Sequence, residues 1–172
     1  MNAPEARQGT QKLILIVDDI EDNRLLLDRG LQSSGYATVM AESGREALSI
    51  ISKRLPDMVL LDWMMPQLSG LDTLRAIREL YSSSKLPVIM CTAIGEEMSV
   101  VAAINAGASD YVTKPISLPI LRARMAAHFE QRAVIDTLDT AKDAAERKLG
   151  EQTRAIFGHD RLPSMRSKWA DS

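Results

Sequence analysis

Three carboxylates, one hydroxyl and one ammonium stand where short apolar runs stop. Asp18 and Asp19 close the run Leu13-Ile14-Leu15-Ile16-Val17, and Asp62 closes Met58-Val59-Leu60-Leu61. Thr92 follows the apolar residues 86–91, and Lys114 follows residues 110–113. Brought together, three carboxylates repel and raise one another's pKa. A hard divalent cation relieves that repulsion, and Mg²⁺ prefers a couple of carboxylates, some water and phosphate oxygens. Such a set asks for a phosphoryl group as its remaining ligand, and an Asp carboxylate is itself a nucleophile that forms aspartyl phosphates. A Lys ammonium suits one phosphoryl oxygen, and a Thr hydroxyl donates to another. Cation and Lys together neutralise charge that develops during transfer.

That chemistry needs an edge on which distant residues meet. Short, continuously apolar runs suit strands covered on both faces of a parallel sheet. Residues 13–17, 36–41, 58–62, 86–92 and 110–113 read as such strands. Helical patterns alternate with them. The first carries Leu25, Leu26 and Leu31 on one side and stops near Ser34-Gly35; the second is capped by Ser43 and carries Ala47, Leu48 and Ile51. Pro66 and Gly70 punctuate a loop before a third helix with Leu71, Leu74 and Ile77. A fourth spans residues 98–106 and is stopped by Gly107, and the last and longest starts near Leu118. The alternation predicts a doubly wound α/β sandwich with five parallel strands and five helices. In such a sheet the carboxyl ends of the strands line one edge, where ligands bind. Asp18, Asp19, Asp62, Thr92 and Lys114 all fall there.

In order and spacing, the pieces that carry these residues resemble the receiver domain of bacterial two-component response regulators. The pieces are Ile14-Leu15-Ile16-Val17-Asp18-Asp19; Leu60-Leu61-Asp62-Trp63-Met64-Met65-Pro66 with Gly70; Thr92-Ala93; Ala106-Gly107-Ala108 with Asp110-Tyr111; and Lys114-Pro115. The resemblance covers about residues 12–130 and implies the strand order 2-1-3-4-5. It implies that Asp62 is the phosphoacceptor and Asp19 the direct Mg²⁺ ligand. It also implies that Asp18 acts beside Asp19 through water and that the backbone carbonyl of Met64 is a further ligand. Lys114 matches the phosphoryl-binding Lys, with a cis bond to Pro115, as proline's weak trans preference permits. Thr92 matches the hydroxyl that moves toward the phosphoryl group, and Tyr111 the aromatic that turns inward with it. The implied partners are a histidine kinase or phosphotransfer protein upstream and a protein target or output domain downstream.

Composition narrows the remaining classes. Of 172 residues, 45% are hydrophobic and 26% charged, with a net charge of −2, which fits a soluble globular chain and argues against a broad basic face for nucleic acid or anionic lipid. No helix-turn-helix or basic stripe is found, so no nucleic-acid-binding output is expected. No apolar stretch has the length of a signal peptide or membrane span. The lone Cys91, beside Val88, Ile89 and Met90, reads as a small core residue, and a cytoplasmic setting is expected. Met58, Met64, Met65 and Met90 read as core rather than cofactor ligands. His128 and His159 lack metal-ligand spacing, and His128 reads as a helix-surface residue. Trp63 is open between a packing role and an exposed contact.

The helical pattern runs past the end of the resemblance. Leu121, His128, Ile135, Lys142, Leu149 and Ile156 fall seven apart, and Leu138, Ala145 and Gln152 fill the alternate seam. This is a heptad register with polar residues at several core positions, and it predicts a parallel homodimer through the C-terminal helix. The expected organisation is a flexible N-terminus over 1–11, a receiver over 12–130, a helical or coiled-coil linker over 131–157 and an irregular tail over 158–172. The expected function is a phosphorelay switch that catalyses only its own aspartyl phosphorylation and dephosphorylation. An alternative is the N-terminal receiver of a longer regulator with a catalytic output such as a nucleotide cyclase. A Mg²⁺-dependent small-molecule phosphatase is disfavoured, because such enzymes usually need an acid two positions past the nucleophile, where this chain has Met64.

Overall fold

The structure is a computed structural model. It describes residues 11–93 and 97–157, leaving out the side chains of residues 97–99. The element order is β1 (Leu13–Val17), α1 (Glu21–Gln32), β2 (Ala37–Ala41), α2 (Gly44–Lys53), β3 (Met58–Asp62), α3 (Gly70–Leu80), β4 (Val88–Ala93), α4 (Glu97–Asn105), β5 (Asp110–Lys114) and α5 (Leu118–Phe157). The strands form one five-stranded sheet in the order β2-β1-β3-β4-β5, with every pair parallel, as expected.

Sequence explains which strands are central. All five residues of β1 and of β3 are buried, whereas β2 and β5 at the two edges are mostly half-buried. One face of the sheet presents Leu15, Val17, Val59, Leu61, Val88 and Met90 to Ala47 and Ile51 of α2, Leu74 and Ile77 of α3 and Ala103 of α4. Alternate residues such as Ile14, Ile16, Leu60 and Ile89 are equally buried and point the other way, because strand side chains alternate. Leu27 and Leu31 of α1 and Leu121 and Met125 of α5 are buried outside the first cluster. Burying each such side chain contributes roughly 1.5–3 kcal/mol.

Local chemistry sets the helix ends. Ser43 and Ser69 cap α2 and α3 by accepting from the amides of Glu46 and Asp72. Gly35 and Gly107 take positive φ after α1 and α4, where a side chain would be strained. Arg78 of α3 ties the far end of the fold. Its Nε donates to the Gly107 carbonyl at 2.7 Å, and its guanidinium also reaches the carbonyls of Tyr81 and Leu86.

Three sequence expectations are corrected here. Leu26 does not face the core; it is 63% exposed, and Leu27 takes its place four residues before Leu31. Met64 is 66% exposed rather than a core residue. His128 is half-buried rather than a helix-surface residue, and its Nε2 lies 3.4 Å from an Asp110 carboxylate oxygen. By contrast Met58, Met90 and Cys91 are buried as expected, and burial pushes the Cys91 thiol up to about 12. The described residues divide into two compact units, one ending at His128 and the other beginning at Phe129. The expected flexible N-terminus, except residue 11, and the expected tail over 158–172, with His159, lie outside the described residues.

Candidate functional site

The register of the sheet assembles the site. Asp62 ends β3 opposite Cys91 of β4; Thr92 follows opposite Thr113, and Ala93 opposite Lys114 of β5. Asp18 and Asp19 leave β1 at the same edge, and the Asp18 amide donates to the Ala41 carbonyl at the end of β2. A carboxylate oxygen from each of Asp18, Asp19 and Asp62 lies within 4.8 Å of the others. Lys114 closes the group from the far strand. Its Nζ lies 2.8 Å from Asp62 and 3.0 Å from Asp18, 96 residues away in the chain. The Lys114–Pro115 peptide bond is cis, as the resemblance implies.

The three carboxylates have different environments. Asp18 is 2% and Asp62 4% exposed, while Asp19 is exposed. Burial raises the Asp62 pKa above the usual carboxylate range; repulsion from Asp18 and Asp19 adds to this, and the hydrogen bond from Lys114 opposes it. For Lys114, burial acts to lower the pKa, but hydrogen bonds to Asp62 and Asp18 prevail and hold it above its ordinary value. Three carboxylates with one ammonium carry two net negative charges, which a divalent cation would cancel. The Thr92 hydroxyl is buried without a hydrogen-bond partner, a costly state for a polar group unless a ligand supplies the partner. Oxygen donors in excess, uncancelled charge and an orphaned hydroxyl all fit a Mg²⁺–phosphoryl pair.

The supporting residues place the loops. A side chain at Gly70 would collide with the Asp62 backbone carbonyl, and the Gly70 amide donates to the Trp63 carbonyl at 3.1 Å. Only glycine lets the β3–α3 loop fold so closely against the Asp62 backbone. Trp63 and Met65 pack against the main core cluster, which settles Trp63 as a packing residue. Tyr111 is half-buried against the same cluster, under Arg124, whose guanidinium carbon is 5.9 Å from the ring centre. Arg124 is in turn held by Asp110 at 2.8 Å.

Sequence reasoning missed two residues of α1. The Asn23 side-chain amide donates to both oxygens of Asp18, at 3.2 and 3.1 Å, and Arg24 donates to the Asp18 backbone carbonyl at 2.6 Å. The available signal was an amide in the first helical turn, five residues past an Asp, where Asn is otherwise a poor helix former.

The comparisons agree on one family. The model of the response regulator receiver domain matches residues 14–126. The chain is 36% identical over 148 residues to the phosphate regulon transcriptional regulatory protein PhoB of Rhizobium meliloti, covering 86% of this chain and 65% of that protein. It is similar in structure to a putative response regulator from Chloroflexus aurantiacus, with TM-score 0.66, 34% identity, and 69% of this chain and 97% of that one covered. It is also similar to a putative two-component system response regulator/GGDEF domain protein, with TM-score 0.69, 26% identity, and 72% of this chain but 51% of that one covered. The chain thus spans less than two thirds of PhoB's length and about half of the GGDEF protein's.

Proposed function

Because this chain belongs to the response regulator receiver domain family, we propose that it is a phosphorelay switch whose phosphoacceptor is Asp62. Mg²⁺ would be held by Asp19, Asp62 and the backbone carbonyl of Met64, while Asp18, whose carboxylate oxygens the protein itself engages, stands beside them. The observation that carries the reading is the Asp62 carboxylate, buried at the edge of the sheet against the Lys114 ammonium and beside two further carboxylates. A carboxylate oxygen of Asp62 attacks the phosphorus of a phosphohistidine on a kinase or phosphotransfer protein. The P–N bond breaks, and its electron pair stays on the imidazole nitrogen. Lys114 meets a phosphoryl oxygen, and the cation, when bound, neutralises charge on the transferring group. Hydrolysis later returns the carboxylate and inorganic phosphate, so the domain acts only on its own phosphoryl group.

The new phosphoryl oxygen gives the unpartnered Thr92 hydroxyl an acceptor. Thr92 shifts toward it, and Tyr111 follows into the released space. A change of state requires such a differential contact. Arg124 and Asp110, packed on and beside Tyr111, carry the change to α5. A cytoplasmic setting suits this role, and no described helix is long and apolar enough to cross a membrane.

A second reading is favoured by the solved structure that joins such a receiver to a GGDEF domain. In it, α5 leads to an output module of a longer regulator, catalytic or, as the name of PhoB suggests, transcriptional. The absence of a nucleic-acid partner is therefore proposed for the receiver alone. In either reading, residues past His128 form the homodimer seam.

The test is incubation with a small phosphodonor and Mg²⁺. The parent should gain one hydroxylamine-labile phosphoryl group and Asp62→Asn none. Equal labelling of the two would remove the assignment.

A further inference from the structure

Every lone-pair site of the Asp18 carboxylate is taken by the protein itself. Oδ1 accepts from the Ile20 amide at 2.9 Å and from Asn23 at 3.2 Å. Oδ2 accepts from Asn23 at 3.1 Å and from Lys114 at 3.0 Å. A carboxylate offers about four such sites. Asp19, the next residue, is exposed and makes no hydrogen bond or ion pair among the described residues. The adjacent pair therefore divides into one saturated carboxylate and one free one. Of the three donors to Asp18, Ile20 gives a backbone amide and Lys114 also serves Asp62. Asn23 donates to nothing else among the described hydrogen bonds, and it lines the cleft beside Asp18 and Lys114.

We propose that Asn23 is a positioning residue for cation choice: by clamping both oxygens of Asp18 it holds that carboxylate back, leaves Asp19 and Asp62 to the cation, and so makes the pocket select Mg²⁺ over Ca²⁺. The proposal rests on the reading of this edge as a Mg²⁺ pocket. Mg²⁺ demands near-ideal octahedral geometry and keeps several waters, whereas Ca²⁺ accepts six to eight oxygens in a flexible shell. An Asp18 freed from Asn23 is a mobile extra donor. It disturbs the ordered water shell that the smaller ion needs and suits the larger ion's wider shell.

The experiment is calorimetric titration of the parent, Asn23→Ala and Asn23→Leu with Mg²⁺ alone and with Ca²⁺ alone, beside thermal unfolding in a chelator. Asn23→Leu removes the amide donor without adding a charge or a cation ligand, and Leu is a better helix former than Asn, so the two variants test the same loss on different side-chain volumes. Mg²⁺ affinity should fall about tenfold, the low end for losing an orienting partner. Ca²⁺ affinity should change far less, so the Mg²⁺/Ca²⁺ ratio falls. A folded variant, Asn23→Ala or Asn23→Leu, with the parent's ratio, or one that loses both affinities equally, overturns the proposal. A parent that binds no Mg²⁺ overturns the pocket reading itself, and that result is visible before any variant is made.

Discussion

At the carboxyl edge of the sheet, side chains far apart in the chain hold one another; beyond Phe129, the described side-chain hydrogen bonds and ion pairs join residues four apart on one helix. Lys114 and Asp18 meet across 96 residues. In the helical extension, Thr137, Thr140 and Thr153 donate to carbonyls four residues back. Its ion pairs, Arg132–Asp136 and Lys142–Glu146, are also four apart, at 4.0 Å, with both partners exposed in the second and only Asp136 exposed in the first. An exposed pair such as Lys142–Glu146 contributes only about 0.3–0.5 kcal/mol. The first region is specified by its own chain. The second presents Leu138, Leu149 and Ile156 to solvent, and a helix of that kind takes its stability from whatever covers the stripe.

The largest effect that sharpens this contrast belongs to Lys114. Lys114→Met removes the cation that meets both Asp18 and Asp62, and with it the charge that would meet a transferring phosphoryl group. Phosphoryl uptake from a small donor should slow about 10²–10³-fold, the usual loss for one electrostatic stabiliser. A rate within about threefold of the parent would separate Lys114 from the chemistry and reduce it to a packing contact.

A smaller effect concerns stability. The Asp62 pKa is raised in the folded state, chiefly by burial and then by Asp18 and Asp19, despite Lys114. The folded protein therefore binds that proton more tightly than the unfolded chain does. The stability it contributes is present at low pH and is lost as pH rises through the folded-state value. In a chelator at pH 7, Asp62→Asn should melt above the parent, and the difference should shrink as pH falls toward the carboxylate range. A difference that stays constant with pH would mean that ionisation of Asp62 is not its source.

The same contrast explains what was legible in the sequence. Asp18, Asp62, Thr92 and Lys114 could be read because a parallel sheet sends the end of every strand to one edge, so strand ends identify neighbours. Asn23 and Arg24 could not, because their partner Asp18 is reached from a helix whose rotation the sequence leaves loose. That looseness also misplaced Leu26: three consecutive leucines, Leu25 to Leu27, fit several helical phases, and only the pairing of Leu27 with Leu31 fixes one. The heptad reading failed at its start for a related reason. Leu121 is fully buried and His128 faces Asp110, so the first turns of α5 serve the receiver's own packing before any partner. Repeats seven apart reveal a stripe but not which surface covers it.

The smallest expected effect on the single chain decides what covers the rest of that stripe. With Leu121 and His128 withdrawn, the seam that remains is Ile135, Leu138, Ala145, Leu149 and Ile156, broken by Lys142 and Gln152. Polar residues at such positions weaken a coiled coil while fixing its register. Leu149 is 65% exposed in the single chain, so Leu149→Asn should change monomer stability by no more than about 0.5 kcal/mol, as surface substitutions do. In a dimer the same change places an amide in the seam, and dissociation should become at least about tenfold easier, the equivalent of about 1.4 kcal/mol. Light scattering over a concentration series reads this directly, with Glu151→Ala as a control outside the seam. A parent that stays monomeric at every concentration removes the dimer. A parent dimer that ignores Leu149→Asn places the interface elsewhere, and a chain ending at His128 then tells whether the receiver supplies it. Loss of the dimer with the receiver's melting unchanged would mean that the two regions differ as their contacts do: one complete within the chain, the other completed by a second copy.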